Sequence, residues 1–250
     1  MELEKRTLVT GAARGLGLAI AKLFAERGAR VALADIEGGA AERAAREIGG
    51  KAIGMRCDVT KPDDVKKAIA DTVRAFGGLD VMVNNAGIEI GKPISETTDE
   101  DFARLMAINV NGVFYGIKYA VPALAESKGN IINMASCAGL AGVPLLGAYC
   151  ASKAAVIRLT QTAAIELRPA GIRVNAICPS FIKTEMVDRL VKPFEAATGA
   201  NFADLTAQAQ GRLGTPEEVA EMAAFLASDA ASFVTGSYYI LDNALTASTL

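Results

Sequence analysis

Short apolar runs alternate with helix-like stretches along almost the whole chain, and that rhythm restricts the fold more than any other feature. Leu8-Val9-Thr10 opens into a helix through about Arg27, with Leu16, Ile20, Leu23 and Phe24 at helical spacing. Val31 to Ala34 follows, then an Ala/Glu/Arg-rich helix from about Gly39 to Ile48. Ala52 to Cys57 reads as strand, and Pro62 suits the first position of a helix running to about Phe76. Leu79 to Asn84 leads into a long helix from about Asp99 to Ala125, and Gly129 to Ala135 is again strand. A helix holding Gly147 to Val156, a strand from Ile172 to Cys178, a helix from Pro216 to Ala227 and a strand from Tyr238 to Leu241 complete the series. Such alternation requires right-handed crossovers, hence a parallel sheet with helices on both faces. Near-continuous apolar strands agree with burial on both sides. The expectation is an α/β chain: one domain over residues 1–250, a doubly wound parallel sheet of about seven strands. Thr184 to Gly211 breaks the rhythm with about 28 residues. Insertions of this size are usually lids or binding loops.

Composition excludes several classes of function. Hydrophobic residues make up 51% and charged residues 22%, with a net charge of −2 and no basic stripe or polybasic tract. Neither nucleic acid nor a membrane surface is an expected partner. The apolar runs fall short of the roughly 20 residues that span a bilayer, and the N-terminal residues do not read as a signal peptide. Cys57, Cys137, Cys150 and Cys178 lack CxxC spacing and metal-ligand neighbours. Free thiols in a reducing cytoplasm, with no metal site, are expected.

The first strand ends in Thr10-Gly11-Ala12-Ala13-Arg14-Gly15-Leu16-Gly17 and runs straight into a helix. Glycines at 11, 15 and 17 allow close backbone approach, with Leu16 among them, and a helix N-terminus suits a pyrophosphate. Asp35, followed by Ile36, lies at the end of the second strand, where a carboxylate can accept hydrogen bonds from a ribose diol. It would repel a 2′-phosphate, so NAD is favoured over NADP. Arg14 points the other way, since a cation there could pair with that phosphate. Asp58-Val59 after the third strand and Asn84-Asn85-Ala86-Gly87 after the fourth share the same sheet edge, where ligands bind in such folds. Alone, each would be ordinary turn chemistry.

The chain contains no histidine, so proton transfer near neutral pH needs another group. Tyr149 and Lys153 stand four apart and face one side of a helix. An ammonium about 5 Å away, at an effective dielectric near 20, favours a phenolate by roughly 3 kcal/mol. That is about two pKa units, which brings a phenol of ordinary pKa near 10 towards the useful range.

These residues together resemble the short-chain dehydrogenase/reductase family over essentially the full length. The resemblance rests on Thr10-Gly11-xxx-Gly15-x-Gly17, Asn84-Asn85-Ala86-Gly87, Asn109, Ser136, Tyr149-xxx-Lys153 and Pro179 to Thr184, with Ser136 and Tyr149 13 apart. It implies a Rossmann-type fold, with Tyr149 exchanging the proton, Ser136 holding the substrate oxygen, and Lys153 lowering the phenol pKa and holding the nicotinamide ribose. Asn109 would hold a water linking Lys153 to solvent, through its main-chain carbonyl at a helix distortion. Pro179, Ile182 and Thr184 would meet the carboxamide. By resemblance, a homotetramer or homodimer built on the long helices is expected.

Two positions depart from the family pattern. Pro179-Ser180 stands where Pro-Gly is usual, and Asp242-Asn243-Ala244 where Asp-Gly-Gly is usual. By position, Ile88, Cys137, Leu140, Val143, Leu145, Leu146, Phe181 and Met186 would wall an apolar substrate pocket. Reversible hydride transfer between NAD and a hydrophobic secondary alcohol or ketone is therefore expected. An NADPH-linked 3-oxoacyl thioester reductase is the enzymatic alternative, and a non-catalytic dinucleotide-binding regulator the alternative from another class.

Overall fold

In the computed structural model, which describes residues 2–247, seven strands pair in parallel. They are β1 (Arg6–Thr10), β2 (Arg30–Asp35), β3 (Ala52–Arg56), β4 (Val81–Asn84), β5 (Asn130–Met134), β6 (Arg173–Pro179) and β7 (Tyr238–Leu241). Their order across the sheet is β3-β2-β1-β4-β5-β6-β7. Every residue of β4 and β5 is buried, because helices cover both faces. Helices α1 (Gly15–Glu26), α2 (Gly38–Ile48) and α9 (Pro216–Ala227) pack on one face through Ile20, Phe24, Ala41 and Val219. Helices α3 (Pro62–Phe76), α5 (Gly112–Ser127) and α6 (Gly147–Leu167) pack on the other through Val65, Ile117, Leu124 and Val156.

Strand order reverses between β1 and β4, which lie side by side with Val9 opposite Val83. Their carboxyl ends open the crevice in which such sheets bind ligands. Thr10 closes its floor: its hydroxyl donates to the Val83 carbonyl at 3.3 Å and accepts from the Asn85 and Ala86 amides at 3.0 and 3.2 Å.

The single long helix expected from Asp99 to Ala125 is interrupted. Helix α4 (Asp99–Met106) passes through a π-helical turn at Ala107–Asn111 before α5 begins. The wider turn turns Asn109 inward, where its fully buried amide meets polar partners outside the helix. Residues 184–211 form two helices, α7 (Glu185–Thr198) and α8 (Phe202–Gln210). Phe202 packs edge-on against Phe181 and Phe194, with ring centroids 5.2 and 5.6 Å apart, and so joins the helix pair to the end of β6.

Candidate active site

A cleft of about 560 Å³ runs along the carboxyl edge of the sheet. One end is built from the β1 turn. Gly11 and Gly15 have φ of +63° and +56°, a region that favours glycine, and a side chain at Gly15 would project into open space. Gly17 serves differently: it does not line the cleft, and a Cβ there would collide with the Gly11 carbonyl, so its role is close helix–strand packing. Helix α1 is preceded by Arg14 at its N-terminal cap position, which supplies no side-chain cap, and its first turn holds no acid. Its free N–H groups and positive dipole end therefore remain for an anion, which fits a pyrophosphate.

Around this turn lie Arg14, Leu16, Asp35, Ile36, Asp58, Val59, Ala86 and Gly87. Asp35 is buried and held by the Ala13 and Glu37 amides, each at 3.0 Å. Ile36 is 60% exposed and offers an apolar face to a planar group. Arg14 pairs with Glu37 and, at 3.6 Å, with Glu185 at the start of α7. Asn85 reaches the cleft, but its amide donates to the Thr10 and Gly11 carbonyls at 2.9 and 3.0 Å and so braces the glycine turn.

The reacting end is built on β5 and α6. Ser136 follows β5, while Tyr149 and Lys153 occupy the first two turns of α6, and all three line the cleft. A buried polar chain fixes the helix against the sheet. Asn84 donates to Asn133 at 2.8 Å, Asn133 to Thr160 at 2.9 Å, and Thr160 to the Val156 carbonyl at 2.8 Å. Lys153 is buried and donates to the Met134 carbonyl at 2.7 Å, with Nζ 5.5 Å from the Tyr149 ring centroid. Asn109 lies behind the cleft. Its oxygen accepts from the Ile88 amide at 2.8 Å, and its nitrogen donates to the Ile88 carbonyl at 2.9 Å and to Ser152 at 3.1 Å. Ser152 donates in turn to the Tyr149 carbonyl at 2.8 Å. With its amide filled, Asn109 has only its main-chain carbonyl to offer elsewhere.

The protein's own groups do not give the phenol the lowered pKa expected from Lys153. Burial pushes Tyr149 up to about 12, against the pull of a hydrogen bond with Ser136. Burial also pushes Lys153 down to about 8. Loss of water is the largest cause of both shifts.

The substrate end differs from expectation: of the eight residues expected to wall it only Ile88 and Met186 line the cleft, and Cys137, Leu140, Val143 and Leu145 do not. Phe181 turns into the aromatic cluster with Phe202, and Leu146 is buried at the start of α6 without reaching the cleft. Pro179, Ile182 and Thr184 lie along its wall, and Thr184 caps α7. Glu37, Cys57, Ile108, Glu185 and Arg189 line the cleft without a sequence signal that singled them out, and Val187, an apolar residue of the 184–211 insertion, lines it too. Burial pushes the Cys57 thiol up to about 12, which suits a wall rather than a nucleophile. Ser180 does not enter the left-handed region, and its hydroxyl donates to Leu241 at 3.2 Å, so serine is accommodated where glycine is usual. Among the described residues no cluster of three or more potential ligands is placed to hold a metal, and no helix is long and apolar enough to cross a membrane.

Comparisons with known proteins agree with this geometry. Residues 11–246 match a family model described as enoyl-(acyl carrier protein) reductase. The chain is 43% identical over 246 residues to 2,5-dichloro-2,5-cyclohexadiene-1,4-diol dehydrogenase of Sphingobium indicum, covering 97% of each chain. It is 43% identical over 248 residues to cyclohexanol dehydrogenase of an Acinetobacter species, covering 97% of this chain and 95% of that one. A crystal structure of a short-chain type dehydrogenase/reductase from Mycobacterium marinum superposes with a TM-score of 0.91 at 38% identity, covering 99% and 98% of the two chains. Enzymes of this kind use nicotinamide dinucleotides, which the uncapped glycine turn and Asp35 fit. The chain is an oxidoreductase and belongs to the short-chain dehydrogenase/reductase family.

Proposed function

We propose that the chain transfers a hydride reversibly between NAD(H) and a small to medium hydrophobic secondary alcohol or ketone. One observation carries this reading: Ser136, Tyr149 and Lys153 share a single cleft with the uncapped glycine turn and Asp35. When bound, the nicotinamide supplies the hydride acceptor or donor and, oxidised, a positive charge near the phenol. Tyr149 takes the hydroxyl proton or returns it to the ketone oxygen, and Ser136 hydrogen-bonds that oxygen as charge develops. Lys153 holds the ribose and favours the phenolate. Asn109 holds the Ile88 loop and, through Ser152, the helix turn bearing Tyr149. Pro179, Ile182 and Thr184 receive the carboxamide end; Asp35, Ile36, Asp58 and Val59 receive the adenosine end.

The preference for NAD over NADP is supported by two acids, Asp35 and Glu37, that line the cleft at the end of β2 and would repel a 2′-phosphate bound there. Arg14, the cation that could welcome that phosphate, is already matched by Glu37 and Glu185. The alcohols named for the two dehydrogenase relatives, a cyclic diol and cyclohexanol, support a compact, uncharged substrate. The 3-oxoacyl thioester alternative stands nearer the family model's printed description. A panel of alcohols, ketones and a 3-oxoacyl thioester, each with NAD(H) and NADP(H), separates the two by nicotinamide absorbance. Dominant NADPH turnover of the thioester would defeat the present reading. Tyr149→Phe should lose at least about 100-fold in kcat while still binding NAD; comparable turnover would remove the assigned role of the phenol.

Self-association as a dimer or tetramer is supported by exposed Phe102, Phe114 and Ile165 on the α4, α5 and α6 side and by Phe233, Tyr238 and Ile240 at the β7 edge. A monomer by light scattering would refute it. A cytoplasmic location is supported by the free cysteines, three of them buried, and cell fractionation tests it.

A further inference from the structure

Three cations line the cleft. Arg14 stands at the glycine turn and Lys153 beside Tyr149, which leaves Arg189 on the second turn of α7 as the cation at the substrate end. Its side chain is 60% exposed, whereas its partner Glu89 is only 6% exposed. Glu89 spends both carboxylate oxygens on it: Nε donates to Oε1 at 3.2 Å and Nη2 to Oε2 at 3.5 Å. A carboxylate so enclosed is costly unless matched, and Arg189 is its only ion-pair partner among the described residues.

The loop bearing Glu89 is fixed. Asn109 holds both main-chain polar groups of Ile88, and Leu190 packs close against Gly91 beyond it. Glu89 is also within electrostatic reach of the reacting group, since its charge helps to raise the Tyr149 phenol. It does not itself line the cleft, so it acts on a bound molecule through Arg189.

We propose that Glu89 is a specificity-determining residue: by engaging Arg189 from behind, it cancels the positive charge over the substrate end and restricts the site to uncharged alcohols and ketones, excluding those that carry a carboxylate. This rests on the function proposed above. An unmatched guanidinium at that place would draw carboxylate-bearing substrates in, as such groups do elsewhere through paired N–H donors.

The test compares butanone with 3-oxobutanoate, by turnover and by calorimetric binding to the NAD-loaded enzyme. The wild type should favour butanone. Glu89→Gln, which keeps the shape of the side chain and removes its charge, should move the ratio of kcat/KM values about tenfold or more towards 3-oxobutanoate, with a matching fall in the Kd of that anion. Adding Arg189→Gln should restore the wild-type ratio. Arg189→Gln alone should bind the anion no better than the wild type.

An unchanged ratio in folded Glu89→Gln overturns the proposal, as does an equal loss on both substrates, which would make the pair a clamp for α7 only. A wild type that accepts both compounds equally well overturns it too. The binding arm needs no turnover, so an enzyme inactive on every alcohol and ketone would count against the proposed function while the anion affinities still decide the role of Glu89.

Discussion

Lys153 shows how far catalysis and stability can oppose each other at one position. Its ordinary pKa of about 10.5 falls to about 8 on burial, so at pH 7 the folded protein holds an ammonium that water would solvate better. The penalty is full below pH 8, where both folded and unfolded chains are protonated. Between pH 8 and 10.5 the unfolded chain binds one proton more, so stability rises with pH and the penalty disappears. Lys153→Met keeps the length of the side chain and removes the charge. We expect it to stabilise the protein at pH 7 by about 1–3 kcal/mol, after loss of the hydrogen bond to Met134, while turnover is lost. Urea midpoints across pH 7 to 10.5 would measure this, and a gain that did not shrink on that ramp would contradict the burial argument.

The same residues show what a sequence can carry. The spacing of Tyr149 and Lys153 gives their shared helix face, but the sign of the phenol shift depends on how many atoms surround it, and that is set by chain segments far away. Asn85 does line the cleft but spends its amide on bracing the glycine turn, and Phe181 looks like a cleft residue but leaves it. Their actual partners, the Thr10 carbonyl and the Phe202 ring, lie far along the chain.

Among the elements, the turn after β7 holds one of the two departures from the family pattern. Asn243 and Ala244 adopt φ of +47° and +70°, the left-handed region glycine enters freely. Asn243 has a return, since its amide donates to the Gln210 carbonyl at 2.7 Å and ties this turn to the end of α8. Ala244 has none on its side chain. Ala244→Gly should therefore raise stability by up to about 1 kcal/mol, visible as a higher Tm by calorimetry, and a fall would show that the turn is not strained.

Helices with a strong start signal were legible to the residue: Pro62 to Phe76 and Pro216 to Ala227 both begin with proline at a first-turn position. The π turn agrees with the helix distortion that the family resemblance implied at Asn109, but the helical pattern of Met106 to Val110 did not mark it, since the bonds from Asn109 to Ile88 and Ser152 that accompany the wider turn are tertiary. Residues 184–211 read as an insertion over the ligand. Their division into two helices depends on caps at Thr184 and Asn201 that become decisive only once Phe181, Phe194 and Phe202 meet.

For the molecule as a whole, strand order has a consequence for how the protein is made. β1 is synthesised first yet lies inside the sheet, with β2 on one side and β4 on the other. β4 in turn needs β5, and β5 needs β6. β1, β4 and β5 in turn therefore present a row of unpaired backbone N–H and C=O groups until the partner strand comes off the ribosome, and unpaired edges of that kind recruit other chains. A fragment ending at Ser127, which stops just short of β5, should precipitate or be cut rapidly by protease where the full chain resists; a soluble, protected fragment would show that α5 alone can shield the edge. Translation of this fold leaves the β4-facing edge of β1 open longest, until Asn84 has been made, and then opens the edges of β4 and β5 in turn, so holding chaperones would have edges to shield until the sixth strand arrives.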